Sequence, residues 1–156
     1  MDTMFKVNIE VTIHPTFHDS YPEIKYGIDN LSNHCVLEEK TTIQVEEFLP
    51  EGKYDFLINF YNKTDTDCIP EKNLDKFITI SNVKIGNLSI PRFLWIAEYV
   101  PCYPEPWYSE QIEKPPETQV GATVLGFNGQ WKLSFESPIY SWIHTIENLG
   151  WIWPVD

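Results

Sequence analysis

A chain of 156 residues and 18.3 kDa is long enough to bury one sizeable core, whereas two independent domains of half that length are each marginal. A hydrophobic share of 42% and an aromatic share of 15% exclude wholesale disorder. With 11 Lys and Arg against 23 Asp and Glu, the formal charge of −12 repels phosphate backbones and no basic cluster offsets it, so direct nucleic-acid binding is not expected.

The opening segment FKVNIEVTI alternates strictly: Phe5, Val7, Ile9, Val11 and Ile13 share one face, with Lys6, Asn8, Glu10 and Thr12 opposite. That period of two predicts a half-buried strand. HPTFHDSYPE reads as a loop, KYGIDN as a short strand ending at a turn, and Thr42 to Val45 begin a further β-prone stretch. LPEG at 49–52 is a turn signal, since Pro50 fixes its own φ and Gly52 tolerates positive φ. KYDFLINFYNK and KFITISNVKI supply two more strands on either side of an acidic segment.

From residue 91 the composition changes. Prolines at 91, 101, 104 and 106 lack the amide proton that a central strand needs, so PCYPEPW is expected to be a long connection or a protected edge, continuing through EKPPETQ to about residue 118. FNG followed by QWKLSF is a turn feeding an alternating strand with Trp131, Leu133 and Phe135 on one face. IYSWIHTIENLG fits a brief helix or a bent strand, ended by Gly150. Short strands separated by turns, without helices long enough for βαβ units, predict an all-β fold: one two-layer antiparallel β-sandwich domain over 1–156, jelly-roll-like, with one short C-terminal helix.

Cys35, Cys68 and Cys102 form no CxxC pair and are expected to be buried, reduced thiols. No positively charged, apolar leader opens the chain and no 18-residue apolar span occurs, so a soluble, unsecreted protein without membrane insertion is expected. His14, His18, His34 and His144 fall into no HExxH pattern, and neither GxSxG nor a phosphate-cradling glycine loop is present. Enzymatic chemistry is therefore not expected.

The segment NKTDTDC at 62–68 admits two readings. Asp65 and Asp67, with Asp75, are oxygen ligands of the kind calcium accepts, and Asn62 adds a carbonyl. Their spacing departs from the twelve-residue EF-hand loop, which needs a glycine turn and a terminal glutamate. A solvated turn is the leading reading, a calcium site the alternative, and no other cofactor is expected.

All six tryptophans fall in the second half. Trp95, Trp131 and Trp142 have apolar or alternating neighbours and are expected in the core. Trp107 and Tyr108 sit among prolines and charges in PEPWYSEQ, a stiff loop that either presents them to a protein or sugar partner or folds back over the sandwich edge. Trp151 and Trp153 in GWIWPVD share a face if extended, for docking on their own domain or on a neighbouring subunit.

LPEGKYDFLINFYNKTDTD, DKFITISNVKIGNLSIPRFLW, YPEPWYSEQ and GFNGQWKLSFESPIYSWIHTIENLGWIW, spanning roughly residues 49–153, resemble segments of small β-sandwich structural proteins or modules of tailed bacteriophages. The resemblance implies a non-enzymatic virion structural or assembly protein that contacts other phage proteins, self-associates, and is assembled in the host cytoplasm. The acidic turn also resembles loops of calcium-assisted carbohydrate-binding sandwiches, so a carbohydrate-binding module using Trp107 and Tyr108 is the first alternative. An acidic phage protein that occupies a host DNA-binding protein is the second.

Overall fold

The computed structural model describes residues 3–149. The predicted Trp151 and Trp153 contacts and the Gly150 stop lie outside the described residues.

Two antiparallel sheets face each other. One carries four strands in the order β4-β1-β6-β9: β1 (Met4–Thr16), β4 (Thr41–Pro50), β6 (Phe77–Ile85) and β9 (Val124–Leu125). The other carries six in the order β3-β2-β5-β10-β7-β8: β2 (Glu23–Ile28), β3 (Asn33–Val36), β5 (Gly52–Phe60), β7 (Glu98–Pro101), β8 (Gln119–Val120) and β10 (Gly129–Ser137). The arrangement is the expected two-layer sandwich, jelly-roll-like in its crossings between layers.

The period of two determines which side chains meet between the layers. Val7, Ile9, Val11 and Ile13 of β1 are wholly buried, opposite Phe56, Ile58 and Phe60 of β5 and Trp131, Leu133 and Phe135 of β10. The Trp131 ring meets Phe56 edge-on, with centroids 6.4 Å apart. Two helices close one flank: α1 (Arg92–Ile96) and, following β10, α3 (Ile139–Leu149), where Trp142 stacks on Phe93 at 5.8 Å. The helical option for IYSWIHTIENLG is the one realised. A third helix, α2 (Trp107–Glu110), is a single turn within the proline-rich connection.

Two expectations are corrected. Trp95 is 59% exposed rather than in the core, with the Arg92 guanidinium 5.6 Å from its ring centroid, because α1 buries Phe93 and turns Trp95 two positions away to the outside. Cys68 and Cys102 are exposed and Cys35 half-buried, since each lies beyond or at the end of the core-facing runs. The chain changes direction at LPEG and FNG as expected, and because β4 to β5 and β9 to β10 each pass from one layer to the other, both are corners of the sandwich.

The registry of the six-stranded sheet gathers three connections at one end. Phe60 at the end of β5 and Pro101 at the end of β7 both pair with Gly129 at the start of β10. The segments after β5, after β7 and before β10 therefore emerge together. Gly129 permits this junction, because a Cβ there would sit 2.4 Å from the Val100 carbonyl oxygen and 2.8 Å from Pro101 Cα.

Candidate functional site

At this end a cleft of about 450 Å³ opens between the three connections. Lys63, Thr64 and Asp65 line it from the β5 side, Cys102, Pro104 and Trp107 from the β7 side, and Gly126 to Asn128 from the corner before β10. Cys68, Pro70 and Asp75 complete the wall.

Side-chain amide and phenol groups brace the corner. The Asn128 side chain accepts from the Lys63 amide at 2.8 Å and donates to the Lys63 carbonyl at 2.9 Å, mimicking one rung of a ladder between segments 65 residues apart in sequence. The Tyr99 hydroxyl accepts from the Phe127 amide at 3.0 Å and donates to the Phe127 carbonyl. Burial pushes the Tyr99 phenol well above its ordinary range, outweighing the opposite effect of the Phe127 hydrogen bond, so it stays a protonated bridge. We predict that Tyr99→Phe lowers stability by about 1–3 kcal/mol, because the Phe127 amide is then left without its acceptor; urea unfolding of the two proteins measures the difference.

Aromatic rings form the apolar wall. Phe127 lies 5.0 Å from both Trp107 and Tyr103, and Tyr103 stacks with Trp107 at 5.7 Å and with Tyr108 at 5.7 Å. The Tyr103 hydroxyl donates to the Pro116 carbonyl at 2.6 Å and accepts from Gln119 Nε2 at 3.2 Å. Lys114 donates to the Tyr108 and Gln111 carbonyls at 2.7 and 3.0 Å. PEPWYSEQ thus folds back over the sandwich end, yet leaves Trp107 36% exposed at the cleft.

The polar wall is dominated by acceptors. Lys63 Nζ donates to the Gly126 carbonyl at 2.6 Å and pairs with Asp75 Oδ1 at 2.7 Å, while lying 5.4 Å from the Phe127 ring centroid. Asp65 and Thr64 are exposed at the rim, where Thr64 Oγ1 lies 3.0 Å from Thr66 Oγ1. Lys63 is the only basic side chain lining the cleft among the described residues, and two of its three donors are occupied.

The acidic segment separates into different roles. Asp65 faces the cleft rim, but Asp67 turns inward and is 3% exposed, against the expectation of a solvated turn. Its Oδ2 accepts from the Thr64 amide at 2.7 Å and the Thr64 hydroxyl at 3.1 Å, and lies 3.4 Å from the ammonium of Lys76, itself 1% exposed. Lys76 also donates to Ser20 Oγ at 2.7 Å and the Asn62 carbonyl at 3.2 Å. Burial pushes the Asp67 carboxyl up, but the Thr64 hydrogen bonds and the Lys76 charge outweigh it and leave its pKa below the ordinary range. Asp75 and Asp67 each face a lysine, and among the described residues no group of three or more His, Cys, Asp or Glu is placed to hold a metal ion.

The histidines are dispersed: His14 lies 2.9 Å from Ser81 Oγ, His18 2.8 Å from the Asp67 carbonyl, and His34 contacts Glu23 and Tyr61. No helix among the described residues is long and apolar enough to cross a membrane. Sequence reasoning singled out Trp107, Tyr108, Asp65 and Asp75 but missed Lys63, Tyr99, Tyr103, Phe127 and Asn128, which are drawn in by strand registry. The available signal was FNG itself, a corner carrying an aromatic, an amide and a glycine that permits close approach.

No family model and no curated protein matches the chain. A solved structure of vCBM60, a carbohydrate-binding module, in complex with galactobiose is similar to it with a TM-score of 0.47 and 10% identity, over 83% of this chain and 97% of that one. The resemblance to sandwich proteins of tailed bacteriophages, and with it the virion role, is thereby corrected: the similarity found is to a carbohydrate-binding module and not to a phage protein.

Proposed function

We propose that the chain is a non-catalytic carbohydrate-binding domain whose cleft takes a neutral sugar. The observation that carries this is the pairing of a braced aromatic wall, Trp107 and Phe127, with the acceptor-rich rim of Asp65, Asp75 and Thr64 in one cleft of about 450 Å³. A pyranose has the complementary surface, with apolar C–H faces that lie on aromatic rings and hydroxyl edges that donate to carboxylates. The aromatic wall is held in place before any ligand arrives, which lowers the ordering cost of binding.

Charge defines the class of sugar. Uronic or sulfated units would meet Asp65 and a net charge of −12, with Lys63 already paired to Asp75. Neutral sugars avoid that repulsion.

Isothermal titration calorimetry with neutral gluco-, xylo-, manno- and galacto-oligosaccharides, and with their uronic-acid counterparts, tests the assignment. Binding to at least one neutral series and none to the acidic ones is expected. Trp107→Ala is expected to weaken the neutral ligand about tenfold or more, the loss of a central aromatic anchor. Absence of binding to every neutral series, or an unchanged affinity in a folded Trp107→Ala protein, would overturn it.

A further inference from the structure

We infer that the ligand is a linear oligosaccharide that continues from the cleft across the aromatic stack into a second cavity, an inference that rests on the carbohydrate reading above. The second cavity, of about 310 Å³, is lined by Val100, Pro101, Tyr103, Tyr108 and Glu117. Trp107 belongs to the cleft and Tyr108 to the second cavity, and both rings stack on Tyr103 at the same centroid spacing of 5.7 Å. The two cavities therefore share one aromatic wall.

Each side of that wall repeats the same chemistry. The cleft combines Trp107 with Asp65 and Asp75; the second cavity combines Tyr108 with the Glu117 carboxylate and the exposed Val100 side chain. Repetition of an aromatic and an acceptor on either side of Tyr103, each aromatic one ring-stacking distance from it, suits a polymer of repeating units better than one compact ligand. Both halves are fixed independently of ligand, since Tyr103 is tied to Pro116 and Gln119 while Lys114 clamps the Tyr108 carbonyl and lies 4.8 Å from its ring centroid. Once a sugar occupies the cleft, contact with the second cavity is intramolecular and benefits from a high effective concentration.

Calorimetric titration of a neutral series from monosaccharide to hexasaccharide reads this directly. Wild-type affinity is expected to rise about tenfold or more between the shortest binding ligand and the longer ones, as a second anchored contact adds to the first. Tyr108→Ala is expected to remove that rise, and Glu117→Ala, which leaves the aromatic wall intact, to reduce it while leaving the shortest binding ligand within about twofold of wild type. Tyr108→Phe, which keeps the ring, is expected to retain it, and Trp107→Ala to weaken every length. Affinity independent of length, or a Tyr108→Ala loss equal at all lengths, overturns the second subsite alone. Absence of binding at any length overturns the carbohydrate assignment together with it.

Discussion

Replacing Asp67 by alanine is expected to destabilise the fold by about 3–5 kcal/mol, a larger loss than removing any exposed carboxylate. The substitution strands the buried Lys76 ammonium, which among the described residues keeps Ser20 and the Asn62 carbonyl, and it removes the acceptor of the Thr64 amide. Guanidinium unfolding of Asp67→Ala, Lys76→Met and the double variant measures the coupling. The double variant should be more stable than the sum of the single losses predicts, because neither charge is then left alone in the core. A loss below about 1 kcal/mol for Asp67→Ala would show that the pair is solvated and the turn ordinary.

The same carboxylate gives a pH signature. Its folded pKa lies below the ordinary range, so between the folded value and the unfolded value of about 3.9 the unfolded chain binds more protons and stability rises with pH. The contribution is complete above the unfolded pKa and is lost as pH falls through the folded one. Asp67→Asn should flatten that limb of the acid-unfolding curve while leaving the other carboxylates' contribution in place.

Trp131→Ala is expected to cost about 3–5 kcal/mol, the penalty for emptying a large buried aromatic site. Trp131 is wholly buried between the layers, and its indole Nε1 has no hydrogen-bond partner among the described residues. That second fact separates two variants. Trp131→Phe also loses volume, but it removes a desolvated N–H, a relief of about 1–3 kcal/mol that offsets part of the cavity cost. Its measured loss should therefore be under half that of Trp131→Ala. Equal losses would indicate that the indole nitrogen is satisfied in solution.

The parts of the fold legible in the sequence are those governed by local periodicity. Alternation in β1 and β10 predicted the side chains that fill the core, because a strand with one buried face has no other register available. β3 went unpredicted because NHCV is a short edge strand with little apolar alternation to mark it. LPEG and FNG read as turns because proline and glycine mark a change of direction without showing whether the chain returns to its own sheet or crosses to the other. The acidic segment failed for a similar reason: the sequence shows two aspartates one residue apart, but only the approach of Lys76 from the start of β6 turns Asp67 inward. Trp107 was visible by composition, whereas Phe127 and Asn128 joined it through the pairing of Gly129 with Phe60 and Pro101, a relation between distant segments that no local window contains.

The position of β10 bears on the order in which the molecule is completed during synthesis. Although it is the last strand in the described chain, it lies between β5 and β7 in the interior of the larger sheet. Until residues 129–137 leave the ribosome, β5 and β7 each present an open edge to solvent. A nascent chain is thus exposed to edge-to-edge association from the emergence of β5 until that of β10, and closure of the sheet and assembly of the cleft become one late event. Integrity of the cleft consequently reports on the addition of β10, and a fragment ending before β10 has neither the cleft nor a closed sheet from which to build it.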